Sequence, residues 1–409
     1  MTTPLAQVLT FPCGLVLANR IVKTALQEGL GTEEFGVSSE LVQLYDLWGA
    51  SGAGLLITGG VSVDRRYPGS PACVVLDDVG FARGQRERFE QWNEAGQRHG
   101  GRVLMQLNHP GRAIPRSLCR RPVAPSALRA RDLKDDIVRS APPRAMTDEE
   151  VQALPDQFAK AARFAQQAGF DGVQIQAGHG QLISQFLSPR WNKRSDRWGG
   201  TLENRSRLLL EVLRACCASV SPGFAISVRL SAIDGEPDGI CLDDTLQLVD
   251  WLNAEAVDLL DVSVGGLAQP AMLGLQGRHL PIHEGRLGQP GLSRGVPALA
   301  YARAVNSRSR MPILVSGGFR SAAVLEGAIT DQYTDLVGLG RSMCLEPDLP
   351  MKLLRQQDAQ FGSGEVIHST SFWQGIVRQP CFFSIRKAFI RSHMSNYQSK
   401  LQKLGTAFR

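Results

Sequence analysis

Three side chains able to do chemistry leave one apolar run within residues 171–207, DGVQIQAGHGQLISQFLSPRWNKRSDRWGGTLENRSR: Gln176, His179 and Gln181. Val173, Ile175 and Ala177 alternate with Gln174, Gln176 and Gly178, the period of a strand. Amides and imidazoles are costly to bury without partners, so such groups at a strand end are expected to line a site. His179 stands between Gly178 and Gly180 just beyond the strand and is expected to touch a ligand. The residues that follow, Asn192, Arg194, Asp196, Asn204 and Arg205, are expected to order their own loop rather than reach a substrate.

Other apolar runs end in equally informative groups. One ends in Gln106-Leu107-Asn108-His109-Pro110-Gly111-Arg112, where Gln106 offers both a donor and an acceptor to a pyrimidine-like edge. His109, beside Pro110-Gly111, is expected to be a satisfied loop histidine. Arg229 lies inside ISVRLSA and needs an anionic or strongly accepting neighbour, which a plain core ion pair would also supply. Two further runs end in Ser316-Gly317-Gly318-Phe319-Arg320 and Gly338-Leu339-Gly340-Arg341. One glycine pair alone would be turn chemistry. The two ends together look like a phosphate site, with small residues admitting backbone N–H groups and a guanidinium adding charge.

The elements carrying these groups recur regularly. Candidate strands are 20–24, 54–58, 102–107, 172–176, 225–230, 259–264, 313–316 and 336–339, and helical patterns 38–50, 84–99, 148–168, 202–219, 242–255, 295–306 and 321–329 lie between them. Near-continuous apolar strands alternating with helices predict a parallel sheet buried on both faces. Eight units predict an α/β fold of the (β/α)₈ TIM-barrel type, a single domain with long mouth loops. A doubly wound open sheet is the alternative, weakened because no GxGxxG follows an early strand. Residues 108–147 are too long for an ordinary turn and are expected at the mouth. Thr147 before Asp148-Glu149-Glu150 reads as a helix cap. Residues 1–355 are assigned to the barrel and 356–409 to a helical extension packed on it.

Composition sets bounds on partners. The 409 residues are 43% hydrophobic and 21% charged, ordinary for a large-cored globule. A net charge of +6 is mild and its Lys and Arg are scattered, which predicts a solvated surface and no nucleic-acid binding. The eight cysteines form no CxxC pair and no zinc or iron–sulfur spacing, so no metal site is expected. The N-terminus lacks a basic lead and carries Pro and Gly in its apolar part, unlike a signal peptide, and reduced thiols in a cytoplasmic setting are expected. No apolar stretch approaches about 18 residues, so no membrane span is expected. No interface stripe stands out, which leaves the oligomeric state open, a homodimer included.

Taken in order, Asn19-Arg20, Gly52-Ala53-Gly54, the run from Gln106 to Arg112, Pro143-Arg144-Ala145-Met146-Thr147, residues 171–207, Gly317-Gly318-Phe319 and Gly340-Arg341 resemble the Old Yellow Enzyme family of flavin-dependent ene-reductases over residues 11–354. The resemblance implies a barrel holding FMN noncovalently, with Ala25, Leu26, Gln27 and Gly60 beside the ring and Gln106 and Arg229 on its pyrimidine edge. Gly317, Gly318, Gly340 and Arg341 would surround the phosphate. It implies hydride transfer from NADPH or NADH, through FMN, to the β-carbon of an alkene activated by a carbonyl group. Two family positions that hold the substrate oxygen, usually His followed by His or Asn, are Gln176 and His179 here. The family's proton-donating tyrosine is Gln181, which has no proton to give at ordinary pH. Gln27 replaces the usual Thr or Cys near the flavin C4 carbonyl. The expected function is reduction of an α,β-unsaturated carbonyl compound. A biosynthetic enzyme that desaturates, isomerises or cyclises its substrate, a flavin-binding protein without turnover, and a barrel binding a phosphorylated substrate are the alternatives.

Overall fold

A computed structural model describes residues 3–128, 140–235, 238–265, 296, 298–359 and 361. Eight strands form one closed parallel ring: β1 (Ile21–Lys23), β2 (Leu55–Ile57), β3 (Arg102–Asn108), β4 (Gly172–Ala177), β5 (Ala225–Ser231), β6 (Leu259–Ser263), β7 (Ile313–Ser316) and β8 (Leu336–Leu339). The ring closes where β8 pairs with β1, Gly338 opposite Val22, which rules out the open doubly wound sheet. A short ninth strand, Val61–Ser62, pairs with the end of β3.

Side-chain alternation divides the apolar residues between two cores. Val22, Leu55, Ile57, Leu104, Ala225, Leu259, Leu314 and Leu336 face inward and pack with Phe11 and Leu17 of the N-terminal hairpin, which plugs the bottom of the barrel. The alternate residues, among them Val103, Val173, Ile175, Val228 and Val262, face the helices. Those helices are α1 (Ser39–Gly49), α2 (Arg86–Gln97), α3 (Leu154–Gln167), α4 (Leu202–Ser219), α5 (Leu242–Leu252), α6 (Leu299–Asn306) and α7 (Ala322–Thr330).

Two helices differ from expectation. The pattern over 148–168 is a short helix, Asp148–Gln152, followed by α3, because Pro155 has no N–H to continue the first helix and suits the first turn of the second. The pattern over 84–99 starts with a π-turn at Phe81–Gln85 and becomes α-helical only from Arg86. Thr147 caps as expected: its side chain accepts from Glu150 N–H while Glu150 accepts from the Thr147 N–H. Within the connection from 108 to 147, the described residues 108–128 and 140–147 include a short parallel pair, Val123–Ala124 with Arg144–Ala145. Of the helical extension expected over 356–409, residues 360 and 362–409 lie outside the described residues. No described helix is long and apolar enough to cross a membrane.

Candidate active site

Above the apolar floor the inward positions turn polar. Gln106 on β3, Gln174 on β4, Arg229 on β5, Asp261 on β6 and Ser316 on β7 are all buried. Gln106 Nε2 donates to Gln174 Oε1 at 2.7 Å. Gln174 Nε2 donates onward to Asp261 Oδ2 and Ser227 Oγ, each at 3.3 Å. Ser316 Oγ and Asp261 Oδ1 are 2.7 Å apart, and Thr24 Oγ1 lies 2.9 Å from Ser316 Oγ. Arg229 stands opposite Asp261 in the β5–β6 register, with Nη1 3.5 Å from Oδ2. Burial pushes the Asp261 carboxyl up and the guanidinium pulls it back. The core ion pair considered for Arg229 therefore exists, yet it does not satisfy the whole guanidinium, whose Nε is buried with no partner among the described residues.

The three residues leaving β4 divide between two sides of the mouth. His179 takes a left-handed backbone (φ 56°), and its N–H donates to Ser231 Oγ at 3.0 Å. Its Nε2 lies 2.7 Å from Ser263 Oγ at the end of β6. Burial holds the imidazole well below its usual pKa, and the charge of Arg229 pushes the same way, so the ring is neutral at physiological pH. Gln176 turns its Oε1 back to accept the Gly178 N–H at 3.2 Å. Gln181 faces the β3 side, its Oε1 accepting from Asn108 Nδ2 at 2.9 Å. Gly60 borders that side: a Cβ there would sit 3.4 Å from Asn108 Nδ2 and 3.5 Å from Gln106 Oε1.

Across the mouth, Gly317 and Gly318 both have positive φ (84° and 91°), which other residues resist. A Cβ on Gly317 would meet nothing within 4 Å. Gly340 lies against Thr24 and Leu26, each 3.4 Å from where its Cβ would be, so the segments just after β1 and β8 share one corner. Arg341 starts the helix Arg341–Leu345; burial lowers its pKa and the neighbouring Arg320 charge adds to that, making the corner positive. Ala25 and Leu26 are half-buried, whereas Gln27 is exposed and donates to Ser70 Oγ at 2.9 Å.

Behind the β2 end lies a cluster that the sequence did not single out. Lys23 Nζ, completely buried, donates to Ile57 O at 2.8 Å and Tyr45 Oη at 3.0 Å and rests 4.2 Å from the Trp48 ring. Glu28 Oε1 is 3.6 Å from that ammonium and accepts from the Gly59 N–H at 2.8 Å and Tyr45 Oη at 2.6 Å. This carboxylate fixes the backbone leading into Gly60.

FMN has a polar pyrimidine edge and an anionic end, and the residues present suit both. The buried Arg229 Nε and Asn108 Oδ1 have no partner among the described residues, while open glycine backbone and a guanidinium mark the opposite corner. Among the described residues no group of three or more His, Cys, Asp or Glu could hold a metal.

Other expectations resolve as structure. Asn192 Nδ2 donates to Phe186 O and Trp198 O, Arg194 pairs with Asp196, and Asn204 Nδ2 donates to Gly199 O. Arg205 donates to Leu187 O and Gly200 O and pairs with Asp244, so this set orders the loop after β4. His109 is buried with Nδ1 accepting the Gly111 N–H at 3.0 Å. Sequence reasoning named Asn108 only within its run and Gln174 only in the strand alternation, and missed Asp261, Lys23 and Glu28. Asp261 did leave a signal: the alternation Asp261–Ser263 in LLDVS matches Arg229–Ser231 in the neighbouring strand.

Residues 13–360 match the NADH:flavin oxidoreductase / NADH oxidase family. The chain is 30% identical to the NADH-dependent flavin oxidoreductase iccE of Talaromyces variabilis, covering 99% of each. It is likewise 30% identical to the NADH-dependent flavin oxidoreductase iliE of Hypocrea jecorina, over 85% of this chain and 88% of that one. Some relatives are longer, and the chain spans 47% of iliE from Neonectria sp.. An Old Yellow Enzyme homologue from Zymomonas mobilis superposes with a TM-score of 0.72 at 24% identity, covering 87% of this chain and 94% of that chain. From these matches, the chain belongs to the NADH:flavin oxidoreductase / NADH oxidase family, is an FMN- and NAD(P)H-dependent oxidoreductase, and shares the barrel fold of the Old Yellow Enzyme homologue.

Proposed function

We propose that the enzyme reduces the C=C bond of a small or medium α,β-unsaturated carbonyl compound. Held by the mouth residues, FMN would supply the hydride chemistry, from NADH or NADPH to the substrate β-carbon. One observation carries the choice of substrate: both clamp residues, Gln176 and His179, can present N–H donors. Gln176 uses its carbonyl oxygen on the Gly178 N–H, so its amide NH₂ is left to donate. His179 is neutral, and in the tautomer where Ser263 donates to Nε2 its proton is on Nδ1, free to donate. Two donors directed at one oxygen polarise a carbonyl and stabilise negative charge developing on it, as an oxyanion hole does. Arg229, behind Gln176 in the strand register, supplies positive charge to the pyrimidine edge. Gln27 and Gly60 border the ring side, and Gly317, Gly318, Gly340 and Arg341 hold the phosphate.

The α-carbon receives its proton from water, because Gln181 has none to give and its Oε1 is engaged by Asn108. That replacement favours a second reading, in which the enzyme desaturates, isomerises or cyclises its substrate instead. Anaerobically reduced holoenzyme mixed with 2-cyclohexenone separates them. Reduction predicts rapid flavin reoxidation, deuterium at the α-carbon in D₂O, and a rate that Gln181→Tyr raises by roughly tenfold or more, within the range of general-acid contributions. Reoxidation by no enone or enal in a broad panel would refute the proposal and favour flavin binding without turnover.

A further inference from the structure

We infer that Asp261 is a positioning residue that sets the hydrogen-bond polarity of the cofactor-reading edge, forcing Gln106 to present its carbonyl oxygen to the mouth. The inference rests on FMN occupying that mouth and is independent of which substrate is reduced.

An ionised carboxylate has no proton, so every polar neighbour of Asp261 must act as a donor. Three groups surround its side chain, Gln174 Nε2 at 3.3 Å, Ser316 Oγ at 2.7 Å and the Arg229 guanidinium at 3.5 Å, and Gln174 Nε2 also lies 3.3 Å from Ser227 Oγ. With its hydrogens directed at Asp261 and Ser227, the Gln174 amide can offer only Oε1 to Gln106. Gln106 must then donate, and Nε2 does so at 2.7 Å. Its own Oε1 is consequently turned away, toward Gly60, where a Cβ would lie 3.5 Å from it. A second chain runs the same way. Ser316 donates to Asp261, so Thr24 donates to Ser316 and accepts from Arg229 Nη1 at 3.2 Å. Room for Ser316 depends on Gly338, whose Cβ would approach Ser316 Oγ to 2.8 Å.

Both chains begin at the mouth and end on one carboxylate. What remains at the mouth is an acceptor, Gln106 Oε1 on β3, and a donor, the Arg229 Nε on β5, which has no partner among the described residues. That pattern complements an adjacent N–H and C=O, the arrangement at N3 and C2 of the flavin pyrimidine. An amide pair without the carboxylate could be reversed with no loss, and Gln106 would then offer NH₂ where an acceptor is needed. Asp261 removes that ambiguity.

The test compares binding of FMN and N3-methyl-FMN, which lacks the donor, to wild-type and Asp261→Asn apoprotein by flavin fluorescence. Wild type should prefer FMN by roughly 10- to 100-fold, the scale of one buried group left unpaired. Asp261→Asn can donate as well as accept, so the preference should fall below about threefold, whatever happens to overall affinity or turnover. Gln174→Met severs the same chain while leaving Asp261 and Arg229 paired, and should have the same effect if Asp261→Asn does not fold. Full discrimination retained by either variant would overturn the inference. Failure of wild type to discriminate would also overturn it, while loss of enone reduction alone would bear only on the substrate.

Discussion

His109 offers a quantitative check on the interior beneath the mouth loops. It is 2% exposed, its Nδ1 accepts the Gly111 N–H at 3.0 Å, and its ring lies 5.1 Å from that of Tyr67. Burial lowers its pKa from 6.5 to about 4, with Asp64 opposing and Arg66 assisting. The folded value is depressed, so its contribution is complete above the unfolded pKa of 6.5 and is lost as the pH falls toward 4. At about 1.4 kcal/mol per pH unit, His109 should account for about 2 kcal/mol of stability lost between about pH 7 and 5. His109→Asn retains an acceptor for the Gly111 N–H two residues on, as in an Asx-turn, but cannot titrate. Urea unfolding at those two pH values, followed by tryptophan fluorescence, should show the wild type losing about 2 kcal/mol more than the variant. His179 has the same sign and is present in both proteins, so it cancels. Equal losses in the two proteins would refute a buried neutral His109.

Lys23→Met should destabilise by about 3–5 kcal/mol, because it leaves Glu28 as a buried uncompensated charge. Adding Glu28→Gln should restore part of that loss in urea unfolding, whereas a purely additive double variant would deny the coupling. Arg341→Gln should weaken FMN binding roughly 10- to 100-fold in a fluorescence titration, the loss of one charge-assisted contact. Unchanged affinity would remove the Gly340–Arg341 corner from the phosphate site.

Much of this molecule is legible without coordinates. Eight apolar, β-branched runs separated by amphipathic helices can bury both faces of a parallel sheet, and all eight candidate strands are strands. Polar groups at strand ends were also legible, because Gln176, His179 and Arg229 break otherwise apolar alternation. Pro155 was visible too, yet amphipathic periodicity on both sides masked the break it causes in the 148–168 helix.

The residues in sequence determined that a barrel forms, that its mouth carries amides, an imidazole and guanidinium groups, and that no tyrosine stands at position 181. Only the tertiary structure decided how those groups are shared out. Closure of β8 on β1 brings Thr24 to Ser316, and the β5–β6 register sets Arg229 opposite Asp261. Folding also sends His179 toward Ser263 and Gln181 toward Asn108, although only one residue separates them in the chain. Strand alternation tells which face a side chain occupies, but its partners come from strands distant in the chain. Whether an amide offers oxygen or hydrogen depends on those partners, and register in the closed ring selects them.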